Sequence, residues 1–242
     1  MNVLDNARGA WEKRDRFPTK LNELTMKTIP RSSLLVAFLS ATLTCGLFTE
    51  TRSLADATNC VMAPAGLVSW WRAEGNAQDA TGANPGALAG NTTVGTGRVG
   101  QAFVFDGNND AVNLGNPTNL QLQNFSIETW VKRASATVTS LSSPTFGNLF
   151  SHGWGGYALG IESNGRLYLS RVGLSSVGID SAVTDTNWHH VAVTKQGSSV
   201  VFYVDGIAYS APAYDTVFAF ASSFAIGAQG DDLAASFYGA ID

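Results

Sequence analysis

Two runs constrain this chain more than anything else in it: Trp188-His-His-Val-Ala-Val-Thr194 and, after five residues, Val200-Val-Phe-Tyr-Val-Asp-Gly206. Both are rich in β-branched and aromatic residues, which fit a half-buried pleated surface, and both are bounded by Gly, Ser, Asn or Asp. They read as two antiparallel strands, with Asp205-Gly206 as the tight turn that launches a third. Phe125-Ser-Ile-Glu-Thr-Trp-Val-Lys132 has the same character. Its Phe125, Ile127, Thr129 and Val131 alternate with Ser126, Glu128, Trp130 and Lys132, and neither set is fully polar. That pattern predicts a strand in mid-sheet with its aliphatic face in the core.

The rest of the chain from residue 66 reads the same way. Gly66-Leu-Val-Ser-Trp-Trp-Arg72 suits a first strand, and Glu74–Gly82 a loop. Val99–Gly107 carries Phe103 and Phe105 on one face and Ala102, Val104 and Asp106 on the other. Asp106-Gly107 is expected to turn the chain so that Ala111–Leu114 pairs back on it. Asn148–His152 and Tyr157–Ile161 continue the pattern, and Ser163-Asn-Gly-Arg166 is the strongest hairpin signal present. No stretch has a helical apolar period. With 25 Gly, 45% hydrophobic and only 14% charged residues, the composition is that of a globular all-β chain. Trp70, Trp71 and Trp188, lying in strands, are expected in the core.

The first sixty residues differ. Residues 1–25 are charged and polar. Met26-Lys-Thr-Ile-Pro-Arg31 then precedes the apolar run Leu34–Leu43, and Ala55-Asp-Ala57 follows. A cationic start, an apolar run of about ten residues and a small-x-small site make an export signal peptide over 26–57. The run is shorter than the roughly 20 residues that cross a bilayer, so no membrane span is expected. Met26 is read as the start, with 1–25 an over-extended N-terminus, and 58–65 as a linker. Cys45 falls in the leader and leaves Cys60 as a lone thiol, so neither a disulfide framework nor a CxxC site is possible. From Thr58 onward seven Lys and Arg stand against thirteen Asp and Glu, a net charge of −6. That balance excludes a nucleic-acid partner, whose phosphates need clustered cations.

The order of these motifs resembles the laminin-G-like jelly roll, a concanavalin A-like sandwich of two antiparallel sheets. Gly66-Leu-Val-Ser-Trp-Trp71 and Asn76-Ala-Gln-Asp79 look like the opening of its bacterial members, and Trp188, His190, Val191 and Ala192 match a structural strand. The resemblance covers residues 66–242. It implies a non-catalytic recognition module in a secreted or cell-surface bacterial protein, carbohydrate-binding or adhesive. A glycan or a surface protein would be its partner, and a structural spacer the alternative. In the family, Phe237-Tyr-Gly-Ala-Ile-Asp242 opens the last strand, so that strand is expected to be truncated here.

Candidate chemistry is sparse. A glycoside hydrolase on this fold needs two carboxylates about 5–9 Å apart, which on one strand means acidic residues at i and i+2 or i+4. Glu128 and Glu162 each lack such a partner, and the laminarinase-like Glu-x-Asp-x-x-Glu pattern is missing. His189 and His190 are adjacent, point to opposite faces and cannot chelate one ion from a regular strand. Calcium takes about six to eight oxygen ligands, often from loops. Asp106, Asn109 and Asp110 in one loop, with Gln229 and Asp231 in another, could supply them or could simply form turns. The Gln229–Asp231 loop is also similar to the calcium loop of pentraxins, although Gly155-Gly156 stands where a pentraxin has Asp-Asn. A sugar would stack on exposed rings. Trp154, flanked by glycines, is the first candidate, with Tyr157, Trp130 and Tyr214 behind it.

Overall fold

The structure, a computed structural model, describes residues 1–5 and 63–242. The expected leader at 26–57, with Cys45, and Cys60 lie outside the described residues.

Two antiparallel sheets form a sandwich. The strands of the first are β1 (Asn2–Asp5), β2 (Leu67–Trp70), β4 (Thr93–Thr96), β5 (Gln101–Asp106), β7 (Phe125–Arg133), β12 (Trp188–Gln196), β13 (Ser199–Val204), β14 (Ile207–Ser210) and β16 (Tyr238–Ile241). Their main path runs β14-β13-β12-β7-β16-β5-β4, while β1 pairs with both β7 and β2. The second sheet holds β3 (Ala87–Ala89), β6 (Ala111–Gly115), β8 (Phe146–His152), β9 (Tyr157–Glu162), β10 (Arg166–Arg171), β11 (Ser175–Ala182) and β15 (Phe224–Ile226). Its order is β11-β10-β9-β8-β15-β6-β3. The sandwich is the two-sheet jelly roll expected from the alternating strands.

β7 is central, as its two-sided pattern requires. Val193 of β12 faces Ile127 across one ladder and Phe202 of β13 across the next. Phe125, Ile127 and Val131 enter the core, where they meet Phe150, Tyr157, Leu159, Leu167, Leu169 and Phe224 of the second sheet. Each such fully buried side chain stabilises the fold by roughly 1.5–3 kcal/mol relative to its exposed state. The β13–β14 turn has positive φ at both centres, Asp205 at 50° and Gly206 at 80°, the hand that matches the twist of paired strands.

Two expectations are corrected. Asp106-Gly107 does not close a hairpin: β5 pairs with β4 and β16, whereas β6 pairs with β3 and β15 in the opposite sheet. The turn carries the chain across the sandwich. Of the strand tryptophans only Trp71 is core, with its indole N–H donating to the Asn84 carbonyl at 2.8 Å. Trp70 is 36% exposed beneath the Arg72 guanidinium. Trp188 is half-buried and pairs with Lys132, whose side of β7 faces away from the core. An aromatic in a strand marks a pleated surface and not which side of it is dry. Asn2–Asp5 forms strand β1, which pairs with β2 and β7.

The opening motif is built around Asp79. Its carboxylate accepts the Trp70 N–H at 2.8 Å, the Thr81 and Asn84 N–H groups at 3.0 Å each and the Thr81 hydroxyl at 2.7 Å. Burial alone would raise its pKa, but these donors hold it below the usual carboxylate value.

Candidate functional site

A cleft of about 830 Å³ opens on the outer face of the second sheet, over β8 to β11. Leu159, Ile161, Leu167 and Leu169 enter the core, so the alternate residues of β9 and β10 face outward. Among them are Gly160 and Tyr168, which are register partners. The Tyr168 ring lies over Gly160 so closely that a Cβ there would come within 2.3 Å of it. Glycine in mid-strand thus seats a flat aromatic on the sheet. The Tyr168 hydroxyl donates to Asn148 Oδ1 at 2.8 Å, and Phe146 meets the ring edge-on at 5.7 Å between centroids. Burial raises the Tyr168 pKa, so its hydroxyl remains a donor at neutral pH. Glu162, Leu174 and Gln229 complete the part of the lining that matters chemically. Glu162 is its one charged side chain, and no Lys or Arg is among the residues lining it.

Trp154 stands beside this cleft, 62% exposed. Its backbone N–H donates to Asp231 Oδ2 at 2.9 Å. Its ring abuts Gly173, a cleft-lining residue with φ of 77°, where a Cβ would lie 2.2 Å from the indole. The turn after β10 therefore holds the indole by having no side chain of its own.

The other expected ligand-contacting aromatics lie elsewhere. Tyr157 is core: fully buried, stacked on Phe125 at 4.2 Å, with its hydroxyl donating to the Leu120 carbonyl at 2.6 Å. Burial places it beyond a ligand's reach, because residue 157 starts β9 on the inward side. Tyr214 is also buried, its hydroxyl accepting the Arg171 N–H and donating to the Ser175 carbonyl, both at 2.8 Å. Trp130 belongs to the first sheet. There it packs edge-on against His190 at 5.4 Å, with the Arg98 guanidinium 5.0 Å above its ring.

The expected calcium ligands form turns. Asp106 accepts the Asn108 N–H at 2.9 Å and Asn91 Nδ2 at 3.1 Å. Asp110 accepts the Asn91 and Asp106 N–H groups, both at 2.5 Å. Asn109 between them has φ of 56°, a turn conformation. Asp231 accepts the Trp154 N–H and, at 2.7 Å, Gln229 Nε2. Each oxygen of these three carboxylates accepts at least one N–H, which is how a turn uses a carboxylate. Among the described residues no group of three or more His, Cys, Asp or Glu converges as metal ligands would.

Two histidines have defined hydrogen-bond partners. His152 is buried, with Nδ1 3.1 Å from the Gly153 carbonyl and Nε2 accepting the Ser222 N–H at 3.3 Å; burial lowers its pKa. His189 lies between two carboxylates, 2.7 Å from Asp205 and 3.0 Å from Asp185. Burial would lower its pKa, but the hydrogen bonds to Asp205 and Asp185 and their charges raise it.

The sequence pointed to Trp154 as a ligand contact and to Gln229 only as a calcium ligand, and it did not single out Phe146, Asn148 or Tyr168, which line the cleft. The available signal was Gly160, a glycine inside a strand whose hairpin partner places a tyrosine opposite it.

A family model described as the concanavalin A-like lectin/glucanases superfamily matches residues 106–242. Among curated proteins none matches. Of solved structures, domain 4 of AbnA, a GH43 extracellular arabinanase from Geobacillus stearothermophilus, in complex with arabinotriose, aligns with a TM-score of 0.53 at 20% identity. That alignment covers 70% of this chain and 85% of that one. A sialidase from Trypanosoma rangeli in complex with the inhibitor DANA aligns with a TM-score of 0.53 at 16% identity, over 76% of this chain and 31% of the sialidase. At these identities the likeness is one of fold.

Proposed function

The chain belongs to the concanavalin A-like lectin/glucanases superfamily, and from that premise we propose that it is a non-catalytic carbohydrate-binding module of an exported protein. One observation carries the reading: the cleft over β8 to β11 joins aromatic surface to uncharged polar groups, with the exposed Trp154 at its edge. Rings offer a face to the apolar side of a pyranose or furanose, and amides and a carboxylate take its hydroxyls. The bond from Tyr168 occupies the Asn148 oxygen and leaves the amide NH₂ as the donor for a ligand. A cleft lined by one carboxylate and by no Lys or Arg suits a neutral saccharide and disfavours an acidic one.

Glu162 lines the cleft without a second carboxylate, whereas glycoside cleavage ordinarily uses two. That supports binding over hydrolysis. The AbnA domain of similar fold, in complex with arabinotriose, is consistent with a glycan partner. Export rests on the leader read at 26–57.

Titration calorimetry against a panel of neutral and acidic oligosaccharides tests the proposal. Saturable binding of a neutral glycan, abolished by Asn148→Ala and weakened by Trp154→Ala, is expected. Binding that survives both substitutions, or release of reducing sugar over time, would overturn it.

A further inference from the structure

The cleft over β8 to β11 has two ends of different make. At one, Phe146 pairs with Glu162, the last residue of β9, beside the Asn164-Gly165 turn. Phe146 is half-buried, and with Glu162 and Asn164 it lines the cleft. At the other end, the turn after β10 carries Gly173, against which the Trp154 indole lies, and Leu174, which is 54% exposed. The six residues of β10, Arg166–Arg171, separate the two ends, a span of about 20 Å at the rise of a strand. Hydroxyls line the stretch between. Ser170 and Ser176 are register partners on β10 and β11 and both line the cleft. Neither hydroxyl bonds to another described residue.

We propose that the cleft holds one linear saccharide of several units laid along β10, with Trp154 against one end of it and Phe146 against the other. The inference rests on the carbohydrate reading of the cleft and adds to it the length and direction of the ligand. A monosaccharide or disaccharide is too short to bridge about 20 Å and meets at most one of the two rings. A chain that reaches both gains the second contact without a second loss of translational freedom, because one ligand carries both stacked units. Ser170 and Ser176 then lie under the middle of the chain. Their hydroxyls are free to donate to and accept from the sugar, because the protein does not use them itself. The same arrangement accounts for Trp154 and Leu174, two large apolar side chains that stand in solvent at one end of the cleft.

The test is calorimetry of the full chain against linear cello-, xylo- and arabino-oligosaccharides, from the monosaccharide to the hexasaccharide of each. In a series that binds, affinity is expected to rise about tenfold or more between the disaccharide and the pentasaccharide and then to level off. One ligand should bind per protein chain. Trp154→Ala is expected to remove the gain on lengthening. Phe146→Leu, which keeps an apolar side chain beside Tyr168 but deletes the ring, should remove it from the other end. Thermal melts establish that both variants are folded. Affinity that does not change beyond the disaccharide, or a gain on lengthening that survives both substitutions, overturns the inference and leaves the carbohydrate reading standing. If no saccharide of any length binds the parent chain, the reading and the inference fall together.

Discussion

The Trp154 indole is held against the backbone of Gly173, so near that a single methyl group at residue 173 would lie 2.2 Å from the ring. The indole is otherwise largely in solvent, and its removal deletes contact surface and not core. Trp154→Ala is expected to weaken glycan binding about tenfold, roughly 1.4 kcal/mol, with the melting temperature unchanged. Gly173→Ala should weaken binding too and in addition cost about 1–2 kcal/mol, because φ of 77° is unfavourable for a residue with a Cβ. Calorimetry paired with thermal melts separates the two effects.

Tyr157 and Trp188 should behave in opposite ways. Tyr157→Ala leaves a cavity among Phe125, Phe150 and Phe224 and is expected to cost about 3–5 kcal/mol. Trp188→Ala, on the half-exposed outer face, should cost about 1 kcal/mol or less. Urea titrations of the two variants check the ranking, and a larger loss for Trp188 would refute the face assignment.

Asp79 predicts acid sensitivity. Asp79→Ala strands three backbone N–H groups and is expected to cost about 2–3 kcal/mol at neutral pH. The folded-state pKa is depressed. Its stabilisation is therefore fully present above the unfolded value of about 3.9 and is lost as pH falls through the lower folded value. Denaturant midpoints between pH 2 and 5 should fall more steeply for the parent chain than for Asp79→Asn.

His189 predicts the opposite slope at higher pH. Its folded pKa is raised, so the stabilisation from Asp205 and Asp185 is fully present below the unfolded value of about 6.5 and disappears as pH rises through the folded one. His189→Gln should flatten that step, seen as a loss of pH dependence in the melting temperature between pH 6 and 8.

Strand alternation was enough to place the sandwich. Phe125, Ile127, Val131, Val191 and Val193 show in the sequence alone which strands have a dry side, because a period of two needs no knowledge of partners. The Asp205-Gly206 and Asn164-Gly165 turns are equally local, since their backbone demands are met by the residues themselves. Sheet membership was not local. Asp106-Gly107 looks like a hairpin turn, yet whether β6 returns to β5 or crosses the sandwich depends on β16, more than a hundred residues away, taking the place beside β5. The cleft was hidden for the same reason. Trp154 stood out by its glycine neighbours, but Tyr168, Asn148 and Phe146 become one surface only when β8, β9 and β10 pair in register. Tyr157 shows the reverse: an aromatic beside a glycine loop reads as exposed until the opposing sheet covers it. Local propensity and period decide that these residues form strands. Which of two faces is wet and which strands are neighbours follow from burial and pairing between distant segments, and those exist only in the folded chain.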